Sequence, residues 1–285
     1  MLISVSGKIN SGKDLIGEII LYLTDKYYHS KAGEKASFEN WKTSNIHSSG
    51  YNISHKAMYE ANNTNHFKIK KFADKLKDIV CLLIGCTREQ LEDETFKNTE
   101  LGEEWWYFKG RNNTLIPYSK DSKRSDEDLV KLTPRLLLQL MGTNLFRNQL
   151  HPEIWVNSLM NEYKPLYGYQ TTNSKITIGD ISIPIPGLDI DKRVFPNWCI
   201  TDMRFPNELE AVKKRGGITI RVNRPCEICG GSGYHKMSCP VSKSGEHYSE
   251  NALDKSEFDY VVDNDSDIQS LIEKVRIILV QEKII

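Results

Sequence analysis

The stretch VSGKINSGKDLIGEII, residues 5–20, constrains this chain more than any other. Gly7, Gly12 and Lys13 stand at Gly-x4-Gly-Lys spacing. An apolar run, LISVSG, leads into them, and Leu15, Ile16, Ile19, Ile20 and Leu23 follow at helical spacing. Strand, glycine turn and helix in that order leave backbone N–H groups unpaired at the positive end of a helix, which suits an anion. Gly7 and Gly12 allow a backbone course that a Cβ would obstruct. Lys13 supplies a mobile charge for the terminal phosphates of a nucleotide, and Lys8, Asn10 and Ser11 complete the loop. The plainer alternative is a strand–helix turn that merely contains two glycines and a lysine. Where such loops offer a serine or threonine, this chain has Asp14. A carboxylate there can bind magnesium directly or through water, and the helix dipole tolerates it, or it simply caps the helix.

The rest of the chain alternates strand and helix signals. HFKIKKFADKLKDIVCLLIG reads as a short strand running into a helix. In TPRLLLQLMGTNLFRNQL, Thr133 is an N-cap and Pro134 the first helical residue, and PEIWVNSLMNEY is a second helix. NWCITDMR is a buried strand, PNELEAVKKRGG a helix closed by glycine, ITIRVNRP the next strand, and FDYVVDND with DIQSLIEKVRIILVQEK a final strand and helix. This alternation predicts an α/β layered domain with a mainly parallel sheet. Polar or irregular stretches near 29–66, 94–128, 164–195 and 226–245 read as insertions, the third with a small β excursion, so residues 1–285 are expected to form a single domain. Cys81, Cys86 and Cys199 fall in apolar runs and read as core.

The 38 basic and 38 acidic residues cancel, so stable binding to nucleic acid is not expected. No secretory signal or membrane-length apolar run is present, and six cysteines without an export signal fit a reducing, cytoplasmic compartment. The sequence leaves a homodimer open.

Five stretches in order carry a resemblance: GKINSGKD; KFADKLKD; PRLLLQLMGTNLFRNQLHPEIWV; ITDMRFPNELEAVKKRGGITIRVNRP; and HYSENALD with VVDND. Together the chain resembles the bacteriophage deoxynucleoside monophosphate kinases, over somewhat under half its length but reaching both ends. The resemblance implies a P-loop kinase-like three-layer α/β/α fold, ATP and Mg2+, and phosphoryl transfer to deoxynucleoside monophosphates in a host cytoplasm. It makes Asp14 a mark of the subfamily rather than of decay. Asp202, at the carboxyl end of its strand, would hold a magnesium-bound water, and Arg204 would grip phosphate, against the alternative of a structural pair between them. Arg135, a cation in the first turn of its helix, makes sense beside an anion and is assigned to acceptor phosphate. Gln139 would meet the acceptor base or sugar, with an exposed helix side the alternative, and Asp74 and Lys75 lie on the acceptor side, with solvated charges the alternative for that pair and for Lys77. Arg224 would border the adenine. Arg147 and Arg221 are weaker phosphate or adenine candidates, and Lys109 and Arg111 candidates for a lid. The family pattern also includes His247, Ser249 and Glu250, placed near the nucleotide.

CEICGGSGYHKMSCP brings Cys226, Cys229, His235 and Cys239 together. Three thiols and an imidazole suit a structural Zn2+, with His247 able to replace His235. A loop with reduced cysteines is the alternative. Two other functions remain: a P-loop kinase of another small acceptor, such as dephospho-coenzyme A, and a zinc-containing nucleic-acid-binding protein.

Overall fold

The computed structural model describes residues 1–33, 36–43, 66–111, 114–121, 124–167, 170–178, 181–189, 193–226 and 251–285. In chain order the elements are β1 (Leu2–Gly7), α1 (Lys13–Thr24), α2 (Lys26–Ala32), α3 (Phe38–Thr43), β2 (Lys68–Lys70), α4 (Asp74–Ile84), α5 (Arg88–Glu92) and α6 (Glu94–Asn98). Then come β3 (Tyr107–Lys109), β4 (Leu115–Pro117), β5 (Leu129–Val130), α7 (Pro134–Gln139) with a π-helical continuation over Leu140–Leu150, and α8 (Ile154–Met160). The last are β6 (Leu166–Tyr167), β7 (Gln170–Ile178), β8 (Ile181–Asp189), β9 (Arg193–Val194), β10 (Trp198–Met203), α9 (Pro206–Lys213), β11 (Ile218–Asn223), β12 (Tyr260–Asp263) and α10 (Ile268–Gln281). The chain divides into two compact units, Met1–Lys71 with Leu159–Ile285, and Phe72–Ser158.

The first unit is α/β. Its main sheet has the order β12-β11-β1-β10-β2, and every pairing is parallel. All six residues of β1 are buried, as expected of a strand at the centre of a parallel sheet. Ile3 and Val5 join a core with Ile16, Ile19 and Ile20 of α1 and Leu271, Ile272, Val275 and Leu279 of α10, so the helical spacing read from the sequence is the buried face. At Gly217 an added Cβ would touch both Val212 of α9 and Leu2, which places α9 near the residue that alternates with Ile3. Helices therefore meet β1 from both faces.

Residues 29–66 were expected to be a long polar insertion, and the early part is not. α3 buries Phe38 and Trp41 against Tyr22 and Tyr28. Asp25, fully buried, accepts from the Tyr28 N–H (2.9 Å) and the Trp41 indole (3.0 Å) and so ties α2 and α3 to the end of α1. The remainder of that stretch, 44–65, lies outside the described residues. The expected β excursion is the antiparallel hairpin β7–β8.

The second unit is mainly helical with a small antiparallel sheet, β4-β3-β5, of which β3 and β4 fall inside the 94–128 stretch read as irregular and β5 just after it. Thr133 caps α7 by accepting from the Leu136 N–H, and Pro134 opens the helix, as its sequence signals require. Leu76 sits where a Cβ at Gly142 would fall, so that glycine allows the close approach. Cys199 is buried, but Cys81 and Cys86 are half-buried, with sulfurs 3.8 Å apart. Among the described residues no helix is long and apolar enough to cross a membrane.

Candidate functional site

From β1 the chain runs to β2 on one side of the sheet, returns in β10 beside β1, and then continues to β11 and β12 on the other side. Connections diverge at β1 and β10. In an open parallel sheet the crevice outside the carboxyl ends of two such strands is where ligands bind. The turn Gly7–Lys13 and the segment Thr201–Arg204 are those two carboxyl ends.

The turn after β1 is tightly built. A Cβ on Gly7 would lie 2.4 Å from Ser11 Oγ and 2.7 Å from the Val222 carbonyl. Gly12 has φ +99° and Asn10 φ +59°, a left-handed course that asks for glycine or asparagine. The Asn264 side-chain amide donates to the Ser11 carbonyl (3.0 Å), and Arg224 donates to the Asn10 carbonyl (3.4 Å). Lys13 Nζ donates to the carbonyls of Gly7 (2.8 Å) and Lys8 (2.6 Å), which fixes its charge against the turn. Ser11 is buried, yet its hydroxyl has no hydrogen-bond partner among the described residues. A buried polar group without a partner costs about 1–3 kcal/mol, so one inside a rigid turn marks a place where something else can bond.

Asp14 does not cap α1; Gly12 holds that position. The Asp14 Oδ1 accepts instead from Thr201 Oγ1 (2.6 Å) on β10 and from Lys71 Nζ (2.9 Å), one residue beyond β2. Gly17 makes this possible, because a Cβ there would lie 2.5 Å from the Thr201 methyl and push α1 off the strand. Desolvation pulls the Asp14 carboxyl pKa upward, but the Thr201 hydrogen bond and the Lys71 charge outweigh it and hold the group below its ordinary value. Cys199, fully buried beneath, has its thiol pushed up to about 12 by burial and by Asp14, so it stays protonated.

Asp202 and Arg204 are half-buried at the end of β10. Glu208, buried at the start of α9, accepts from the backbone N–H groups of Arg204 (2.7 Å) and Phe205 (3.1 Å), which fixes the turn that presents Arg204. On the other flank, Lys8 Nζ bonds Asn251 (3.1 Å) and pairs with Asp254 (3.4 Å). Asp254 also binds Arg221 (2.7 Å), which is buried and donates to Ser6 Oγ (3.1 Å). Arg221 is thus a brace behind the turn.

The acceptor-side candidates fall in the second unit. Asp74 accepts from Arg88 (3.1 Å), which also binds Asp78 (2.8 Å), and Lys77 pairs with Glu92 (2.5 Å). Arg135 donates to Asn98 (2.9 Å) and pairs with Glu94, so the anion its position demands is a neighbouring side chain. Lys75 and Gln139 are exposed. Of the cysteine cluster only Cys226 is described; Cys229, His235, Cys239, His247, Ser249 and Glu250 lie outside the described residues.

Thr201, Lys71 and Asn264 escaped the sequence reading. Each is unremarkable locally and gains its place only from the strand order. All three nonetheless stand inside stretches that carry the resemblance, Lys71 at the start of KFADKLKD, Thr201 in ITDMR and Asn264 in VVDND. No family model matches the chain, and no curated protein matches it either.

Proposed function

We propose that this chain is a P-loop kinase-like α/β/α phosphotransferase that moves the terminal phosphoryl group of ATP to deoxynucleoside monophosphates, giving ADP and deoxynucleoside diphosphates. One observation carries the reading: a Gly-x4-Gly-Lys turn at the divergence of a parallel sheet that contains a buried hydroxyl with no partner among the described residues. The class of acceptor rests on the resemblance of the five ordered stretches, and so do the acceptor roles of Asp74, Lys75, Arg135 and Gln139.

In this reading the backbone of the turn and Ser11 Oγ bind the polyphosphate, and Lys13 leaves its carbonyl partners for the terminal phosphates. Arg204 neutralises charge on the group in transfer, and Arg224 borders the base. A monophosphate has a second pKa near ~6, so its oxygen is ready to attack at neutral pH and no general base is needed. The donor set at the turn fits magnesium, since Asp14 and Asp202 are carboxylates and Thr201 a hydroxyl, all hard oxygen ligands. Magnesium bound with the nucleotide would offset phosphate charge. A structural zinc at Cys226, Cys229, His235 and Cys239 is proposed on donor chemistry alone, three thiolates and an imidazole.

The test is a panel of deoxy- and ribonucleoside monophosphates, and dephospho-coenzyme A, with ATP and magnesium, scored for ADP release. Deoxynucleotides should be turned over, and Lys13→Ala should reduce kcat/KM by at least about 100-fold. Wild-type rates in that variant, or ADP release with dephospho-coenzyme A alone, end the deoxynucleotide reading.

A further inference from the structure

Lys71 has no part in the reading above, yet it is the cation directly bonded to Asp14. The Lys13 charge also favours the Asp14 carboxylate, but its ammonium group is bonded to the carbonyls of Gly7 and Lys8. The sheet register explains why Lys71 arrives there. Lys70 is opposite Ile200 in the β2–β10 pairing, and one residue further on Lys71 follows Lys70 as Thr201 follows Ile200. Lys71 and Thr201 then converge on the same oxygen, Asp14 Oδ1. The Lys71 side chain is 23% exposed and that of Asp14 64%, so the cation is the sheltered partner and the carboxylate faces outward.

An unpaired carboxylate beside a polyphosphate site repels every phosphate that enters it. We propose that Lys71 is the resident counter-cation of Asp14: it cancels this repulsion before a metal–nucleotide complex arrives, and a divalent cation takes over the task when one binds. Lys71 is therefore a positioning residue that sets how strongly nucleotide affinity depends on magnesium. This rests on the nucleotide reading of the turn.

The experiment is calorimetric titration of the full chain with ATP, once in EDTA and once in excess magnesium, with circular dichroism confirming the fold of each variant. Lys71→Gln should weaken binding about tenfold or more in EDTA but less than about threefold in magnesium. Lys71→Arg should stay within about threefold of wild type in both. Asp14→Asn, which removes the carboxylate charge, should tighten binding in EDTA, and Lys71→Gln with Asp14→Asn should return it towards wild type. Equal losses for Lys71→Gln in both conditions, or none in either, overturn the proposal. If Lys71→Gln does not fold, Asp14→Asn decides, and unchanged or weaker binding in EDTA sinks it. Failure of wild-type protein to bind ATP in either condition instead sinks the nucleotide reading, and this proposal with it.

Discussion

The turn after β1 and the helices between residues 74 and 139 both gather charged side chains, and they treat them in opposite ways. In the helical unit Arg88 is held by Asp74 and Asp78, Lys77 by Glu92 and Arg135 by Glu94. These are half-exposed pairs of neighbours, each worth about 0–1 kcal/mol. At the turn the sequence instead gives up bonds. Ser11 Oγ is buried with no partner among the described residues, two residues take left-handed backbone, and Lys13 is spent on carbonyls. The lesson is that an idle buried donor points to a ligand more sharply than a paired charge does.

The sharpest way to break that comparison is Gly7→Ala. Its methyl would fall 2.4 Å from Ser11 Oγ and 2.7 Å from a backbone carbonyl. We expect a stability loss of about 1–3 kcal/mol and loss of ATP binding by at least about 100-fold, read by thermal melting and calorimetry. Retained affinity would mean that the turn does not hold the ligand. Arg204→Ala should leave stability nearly intact and cost at least ~2 kcal/mol in transition-state stabilisation, read from kcat/KM. Arg135→Ala sharpens the other side. Losing its half-exposed pair with Glu94 should change stability by less than about 1 kcal/mol, while the acceptor role requires KM for the monophosphate to rise about tenfold with KM for ATP unchanged. If acceptor KM does not move, Arg135 belongs to Glu94 alone.

The smallest effect concerns acid. The Asp14 carboxyl is depressed in the folded chain, so its contribution is present above the ordinary value of 3.8 and lost as pH falls through the folded-state value. The stability difference between wild type and Asp14→Asn should therefore be under about 1 kcal/mol near neutrality and shrink below pH ~4 in an acid titration followed by circular dichroism. A difference that grows on acidification contradicts the assignment.

What the sequence made legible was local. Spacing within 7–23 gives the turn and its helix, Thr133 and Pro134 give a helix start, and alternation in 170–189 gives a hairpin. Short strands such as β3, β4 and β5, two or three residues each, leave no periodicity to read, so that sheet was missed. Phe38 and Trp41 were hidden in a polar stretch, because two aromatic residues anchor α3 with no pattern around them. Thr201, Lys71 and Asn264 depend on which strands become neighbours. Arg221, a weaker candidate for phosphate or adenine, also braces the turn, and its register beside Ser6 and the distant Asp254 were not visible in one dimension.

The position of β1 has a consequence for how such a chain is made. It is the first strand of the sheet in sequence, and Ser4 bonds Ile200, 196 residues later. At a synthesis rate of about 5–20 residues per second, Ile3 and Val5 emerge roughly ten to forty seconds before any neighbouring strand exists to accept them. The strand that leads into the proposed nucleotide turn therefore waits for β10 and β11 before either of its edges is paired.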